Sequence, residues 1–469
     1  MKRIFAVLLA AALLLTGCGV QVKIADPSAL TETTVLFYPQ DAFAAREGTL
    51  LTLEEVADAW SETLFPRTHI YDELFPGDGV LLLQLLDYCF ANGYQGFSVL
   101  PSVLKAEPLT PQQRQAMEFM YRIDGGKVLA LDNDPDVEGA ACTTFWYKCS
   151  RSREDTMKMF AEGLAAAREI AAQLPTGGND YETALAVFNY LAEHVKYGDK
   201  DSYYFNFGHH LYDALIGGVC ICSGYSDAMY YLCNLCGVEC LGVYGLAASD
   251  IDGGLEDHAW NMILLDGSWY CCDPTWNADM DMDLPIFFAV SEHALQMLGR
   301  HTPTGEYTDT PLIPSCEDCF DPVAVWNGTV EGALQSWLWY AGYAQNFPAY
   351  LLLALGLPLE ALEQPDASGY AKCNVAYAAF LERTEDFMTA DCFLSLLAPD
   401  RFCEIDGLLA ANMAAAWSAP VYHLASVSEP NNGVYTAALE TADGTTAQAE
   451  FTVEQVGGLY RIVTITFTP

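Results

Sequence analysis

The run His258-Ala-Trp-Asn-Met-Ile-Leu-Leu265, the pair Asp266-Gly267 and the run Ser268-Trp-Tyr-Cys-Cys-Asp273 constrain the fold more tightly than any other stretch of the chain. Asp-Gly between two apolar runs is a two-residue hairpin turn, because both central positions take positive φ. Such a turn sets the register: Leu265 faces Ser268, and paired residue numbers sum to 533. Asp273 then lies opposite Trp260. His258 is two residues from Trp260 and shares its face, since side chains alternate along a strand. His258 and Asp273 become diagonal neighbours within side-chain reach. A carboxylate so placed fixes the tautomer of an imidazole and steadies its imidazolium. Pro274 has no N–H to offer a ladder and ends the strand.

A thiol lies upstream, in Gly218-Val-Cys-Ile-Cys-Ser-Gly-Tyr-Ser-Asp-Ala-Met229. Ser223-Gly224 reads as a turn and Tyr225 to Cys236 as a helix, with Ala228, Met229, Leu232, Leu235 and Cys236 at helical spacing and Gly237 as the stop. Cys222 therefore sits just before or on the first turn. A helix N-terminus and a nearby histidine both favour the thiolate that a cysteine nucleophile needs. Cys220 has the same strand parity and competes for the role; a small buried hydrophobe is the other reading of either thiol. Asp273, before a proline, also reads as a turn former.

Three ordered blocks carry a family resemblance. Cys222-Ser-Gly-Tyr-Ser-Asp-Ala228 resembles the Cys-x-Gly-Tyr-Ala/Ser-x-Ala nucleophile block of the transglutaminase-like family, within the papain-like cysteine enzymes. His258-Ala-Trp-Asn261 is similar to its histidine block, and Asp273-Pro-Thr-Trp276 to its aspartate block. Tyr212-Asp-Ala-Leu215 and His194-Val-Lys-Tyr197 resemble the segments that lead to the nucleophile. The match runs from about residue 180 to 280, and the order of the blocks makes it specific.

The resemblance implies an α+β core, a nucleophile helix packed on an antiparallel sheet. It also implies Cys222 as nucleophile, His258 as general base and acid, and Asp273 as the residue that orients His258. The Gly-Tyr after Cys222 sets the assignment against Cys220. An oxyanion hole would use the Cys222 backbone N–H and one more donor. Tyr212, Tyr225 and Trp260 are candidates for that donor or for substrate contact. The aromatic loop 198–210, with Tyr203, Tyr204, Phe205, Phe207, His209 and His210, is a candidate cleft lining. The substrate implied is a protein or peptide amide, with hydrolysis preferred; protein cross-linking and a non-catalytic surface scaffold are the alternatives. No cofactor and no metal ligand set is expected. Cys316-Glu-Asp-Cys319 reads as a disulfide or half a metal site, but no second ligand pair at zinc spacing accompanies it.

Lys2-Arg3, the apolar run Ile4 to Leu15 and then Leu15-Thr-Gly-Cys18 read as a secretory signal, too short for a span. The tetrapeptide resembles a bacterial lipobox, which implies cleavage after residue 17 and a lipid on Cys18. The expectation is an exported protein held on the outer face of a bacterial membrane through that anchor. Asp and Glu number 62 against 21 Lys and Arg, a formal charge of −41. Phosphate backbones need clustered cations, so nucleic acid is excluded as a partner, and anionic headgroups would be repelled.

The expected organisation is a signal at 1–17, a tether at 18–45 and a helical N-terminal accessory region at 46–150. A catalytic domain follows at 151–300, a linker rich in proline, threonine and acid at 301–324, and a C-terminal module at 325–469. Helices are expected to open at Thr52 and Thr110 and over Val80–Asn92, Arg153–Leu174, Tyr181–Val195, Gly332–Gly356 and Val375–Phe387, with a strand over Thr143–Cys149. Alternating runs from Val421 to Phe467, broken at Asn431-Asn-Gly433, Asp443-Gly444 and Gly457-Gly458, predict a curved antiparallel sheet. Its element order resembles nuclear-transport-factor-like or cystatin-like modules.

Overall fold

The computed structural model describes residues 23–39, 47–60, 73–92, 94–105, 109–110, 113, 128–131, 142–147, 153–176, 178–198, 211–248, 254–278, 284–303, 314–346, 351–352, 355, 357, 366–396, 401–412 and 420–468. Cys18, the signal segment and the aromatic loop residues 203–210 lie outside them. The fold is α+β. Two compact units interleave in sequence: one takes residues 1–174, 198–240 and 305–313, the other 175–197, 241–304 and 314–469. Among the described residues, no helix is long and apolar enough to cross a membrane.

The first unit holds a six-stranded antiparallel sheet. Its strands run in the order Lys23–Ala25, Gly48–Thr52, Thr34–Tyr38, Gly96–Val99, Thr143–Tyr147 and Val128–Leu131. Residues 23–25 and 34–38, expected as part of a tether, thus belong to a sheet. Val35, Leu36 and Phe37 are fully buried in it. The expected helices are also there, at Leu53–Trp60 and Asp78–Asn92. Thr52 opens the first with a capping box: its Oγ1 accepts from Glu55 N–H at 3.1 Å, and Glu55 Oε2 accepts from Thr52 N–H at 2.7 Å. Thr110 and Gln113 make the same reciprocal pair. The long helix Arg153–Ala171 and the helix Cys222–Leu235 pack on each other in this unit. From Cys222 to Cys233 the latter is buried throughout.

The second unit starts with the helix Asp180–His194, capped by Asn179, whose side chain accepts from Glu182 N–H. A four-stranded sheet follows in the order Ser268–Cys272, Leu255–Leu265, Cys240–Ala248 and Thr302–Pro303. The hairpin register is the one the turn dictates, from Leu265↔Ser268 to Asn261↔Cys272. Asp266 and Gly267 take φ values of 49° and 82°. After the hairpin, residues 286–303 return to the sheet. Val290 bridges Cys271, and Thr302 pairs with Leu246. Residues 301–303, expected as the start of a linker, are therefore part of the core.

The C-terminal stretch carries two sheets. Tyr370–Ala376, Leu408–Asn412 and Phe402–Ile405 form the first, in that order. Its opening strand takes the first two residues of the helix expected at 375–387, which runs only from Tyr377 to Thr384. Burial alternates along 371–376, a strand period that the sequence reading passes over. The second sheet is the expected meander: His423–Val427, Tyr435–Glu440, Thr446–Val456 and Leu459–Thr468. The helix Val330–Asn346 packs on it, with the Trp337 and Phe467 rings 5.5 Å apart. Cys316 and Cys319 are unbridged. Cys316 Sγ turns to the Val290 carbonyl at 3.2 Å, and Cys319 Sγ lies 3.4 Å from Ser291 N.

Candidate active site

In the second unit the hairpin brings His258 and Asp273 together. His258 Nε2 donates to Asp273 Oδ2 at 2.7 Å. His258 is 6% exposed and Asp273 is fully buried. Trp260 shares the His258 face, with ring centroids 6.2 Å apart and an interplanar angle of 19°. Asp273 ends its strand and caps the short helix Pro274–Ala278: its Oδ1 accepts the Thr275 N–H at 3.0 Å and the Trp276 N–H at 3.3 Å. One carboxylate oxygen is thus held by backbone and the other faces imidazole. Burial works to raise the Asp273 pKa, but the His258 charge and the histidine hydrogen bonds outweigh it and hold the carboxyl well below the usual range.

His301 is the residue that sequence reasoning misses. Its Nε2 lies 2.8 Å from the same Asp273 Oδ2, and its ring is 5.2 Å from that of His258. A lone histidine in a stretch rich in proline and threonine carries no spacing signal. It is seated by tertiary features instead. The helix Glu292–Gly299 ends at Arg300, which turns the chain with φ 55°. Gly299 has no room for a Cβ, which would press on the His301 ring and come within 2.7 Å of Trp276.

His258, Asp273 and His301 offer one donor atom each within 4.8 Å of one another, close enough in space for a cation site. The two histidine–carboxylate contacts have the length of charge-assisted N–H···O bonds.

Gly245 lies on the neighbouring strand, and a Cβ there would meet the Trp260 ring at 2.5 Å and Pro303 Cα at 2.9 Å, as well as the Thr302 carbonyl. Gly245→Ala is expected to cost about 1–3 kcal/mol by overpacking. Denaturant unfolding checks this; an unchanged midpoint would mean that the 302–303 strand moves aside freely.

In the first unit, Cys222 is the first residue of its helix, with Ile221 extended at the N-cap and no side-chain cap. It is 8% exposed, and no acidic residue occupies the first turn. A helix start carries a positive dipole end, and the first turn of this one holds no carboxylate to offset it. Cys220 is fully buried. Burial, then the charges of Cys222, Asp213 and Asp227, push its thiol well above the ordinary value. Tyr225 is buried on the same helix. Tyr212 is half-buried and leads into the helical turn Asp213–Gly217. Its backbone lies close to Gly163, whose added Cβ would come within 3.1 Å of the Tyr212 N.

Residues 168–274 match the model of the Transglutaminase-like superfamily. Human Kyphoscoliosis peptidase is 29% identical over 112 residues, which cover 22% of this chain and 16% of that protein. The mouse protein of that name is 27% identical over 113 residues, with the same shares. The chain thus aligns with about a sixth of the length of these relatives. Among solved structures, a TGase is 16% identical with a TM-score of 0.22, covering 38% of this chain and 50% of that one. A candidate cysteine protease from Cytophaga hutchinsonii is 14% identical with a TM-score of 0.19, covering 24% and 37%. The helix that begins at Cys222 and the hairpin that joins His258 to Asp273 both fall in the stretch that matches the Transglutaminase-like superfamily.

Proposed function

We propose that the protein attacks amide carbonyls of proteins or peptides through Cys222, His258 and Asp273, and that water completes the reaction. The observation that carries this reading is the buried bond between His258 Nε2 and Asp273 Oδ2. In this reading Nε2 is held by the carboxylate and Nδ1 exchanges protons with the thiol and the leaving group. Cys222 at a helix start free of acidic residues supports the nucleophile role.

In the proposed cycle, the Cys222 proton passes to His258 and the thiolate adds to the carbonyl carbon. His258 then protonates the departing amine as the C–N bond breaks, leaving a thioester on Cys222. Water, deprotonated by His258, attacks the thioester; the acid leaves and the thiol recovers its proton. The Cys222 backbone N–H is one oxyanion donor in this scheme, with Tyr212, Tyr225 and Trp260 as candidates for the second donor or for substrate contact. The test is release of ammonia or new amino termini from a broad peptide panel, set against Cys222→Ala. Equal signals from the two proteins would sink the hydrolase reading, and consumption of added amine in place of water would redirect it to cross-linking.

The lipobox-like Leu15-Thr-Gly-Cys18 supports export and anchoring through a lipid on Cys18. The full-length protein expressed in a bacterium is expected to partition into detergent, and Cys18→Ser to stay in the aqueous phase. Equal partition of both would remove the anchor from the account.

A further inference from the structure

Asp273 raises a difficulty that its own histidine partner does not resolve. In the cycle above, His258 gains a proton and loses it again. A fully buried carboxylate is costly without a counter-charge, and His258 supplies one only part of the time. His301 meets that need. Its Nε2 faces Asp273 Oδ2 at 2.8 Å and its Nδ1 faces the Leu295 carbonyl oxygen at 3.2 Å. Both partners are acceptors. A ring that makes both bonds donates through both nitrogens and carries a proton on each.

The surroundings hold it there. The side chain of His301 is 1% exposed. Its ring centroid lies 5.0 Å from that of Trp276 and 5.3 Å from that of Trp260. Among the described residues, Asp273 and His258 are the ionisable side chains in hydrogen-bond or ring contact with it. Gly299, with no room for a Cβ beside the ring, and the left-handed turn at Arg300 fix the approach of the chain.

We infer that His301 is a positioning residue, the standing counter-charge and second donor that keeps Asp273 ionised and oriented while His258 exchanges its proton. The catalytic consequence rests on the Cys222–His258–Asp273 reading; the pairing with Asp273 does not.

The test uses the full mature protein with His301→Leu, His301→Gln, Asp273→Asn and the double change His301→Leu with Asp273→Asn. Asp273→Asn alone is expected to lower the unfolding midpoint. In the His301→Leu background it is expected to lower the midpoint much less, because the anion it removes has already lost one of its partners. The same lowering in both backgrounds would overturn the proposal. Should His301→Leu fail to fold, ¹⁵N-histidine spectra of the wild type and His301→Gln decide: the ring lost in His301→Gln should show two protonated nitrogens, and a single N–H would overturn it. Stoichiometric Zn²⁺ binding by metal-free protein, lost in His301→Gln, would also overturn it, since the ring would then be an acceptor.

A fourth readout is the rate at which iodoacetamide labels Cys222. It should fall about tenfold in His301→Leu and recover most of that in His301→Gln, which keeps a donor. Loss of the same size in both would make the ring a packing element only. If His258→Ala leaves Cys222 labelling unchanged, the triad reading fails, and the midpoints and spectra still judge His301.

Discussion

Serine in place of Cys222 is expected to reduce product release from amide substrates by at least about 10³-fold, while serine in place of Cys220 leaves it within a few-fold of wild type. The two thiols are separated by one residue and differ in where they sit. Cys222 opens a helix whose first turn holds no acid. Cys220 is wholly buried, and burial pushes its thiol up. A serine hydroxyl lacks the acidity to form the attacking anion at neutral pH in a site arranged for a thiol. The measurement is amine release by both variants at equal folded concentration. Equal losses would mean that the Gly-Tyr following Cys222 does not mark the nucleophile.

Alanine in place of Asp273 is expected to cost both activity and stability. Four N–H groups converge on this carboxylate: those of Thr275 and Trp276 from the backbone, and those of His258 and His301. Removing it leaves them without their acceptor in a buried site, a loss of about 3–5 kcal/mol. Activity is expected to fall about 10²–10⁴-fold, because nothing then fixes the His258 tautomer. Asp273→Asn separates charge from shape through pH. The folded carboxyl sits below its unfolded value of about 3.9, so it is charged when folded under conditions where the unfolded chain has already taken up a proton. Its contribution is complete above about pH 4 and drains as the pH falls further. The gap in unfolding midpoint between wild type and Asp273→Asn should therefore be widest near neutral pH and narrow below about pH 4. A constant gap would mean that the aspartate contributes shape alone.

What could be read in the sequence follows the range of the forces involved. The hairpin was legible because a two-residue Asp-Gly turn fixes register locally, and from register came the His258–Asp273 pairing. The Thr52 and Thr110 capping boxes and the C-terminal meander are local in the same sense. Apart from its strand at Thr143, the six-stranded sheet was not legible. Thr34-Val-Leu-Phe-Tyr38 is a continuous apolar run buried almost throughout, without the alternation that marks a half-exposed strand. It pairs with Gly48–Thr52 and Gly96–Val99, and the sheet reaches on to Thr143–Tyr147. His301 was missed for the same reason: its place beside Asp273 depends on chain that returns after residue 284, on the missing Cβ of Gly299 and on strand pairing at Thr302.

The most direct test of the central claim is limited iodoacetamide labelling of the folded protein near pH 7, with each cysteine mapped by mass spectrometry. The account predicts that Cys222 labels ahead of every other thiol and that His258→Ala removes this lead. Labelling of Cys222 no faster than its neighbours, or a lead untouched by His258→Ala, would contradict a Cys222–His258 nucleophile pair.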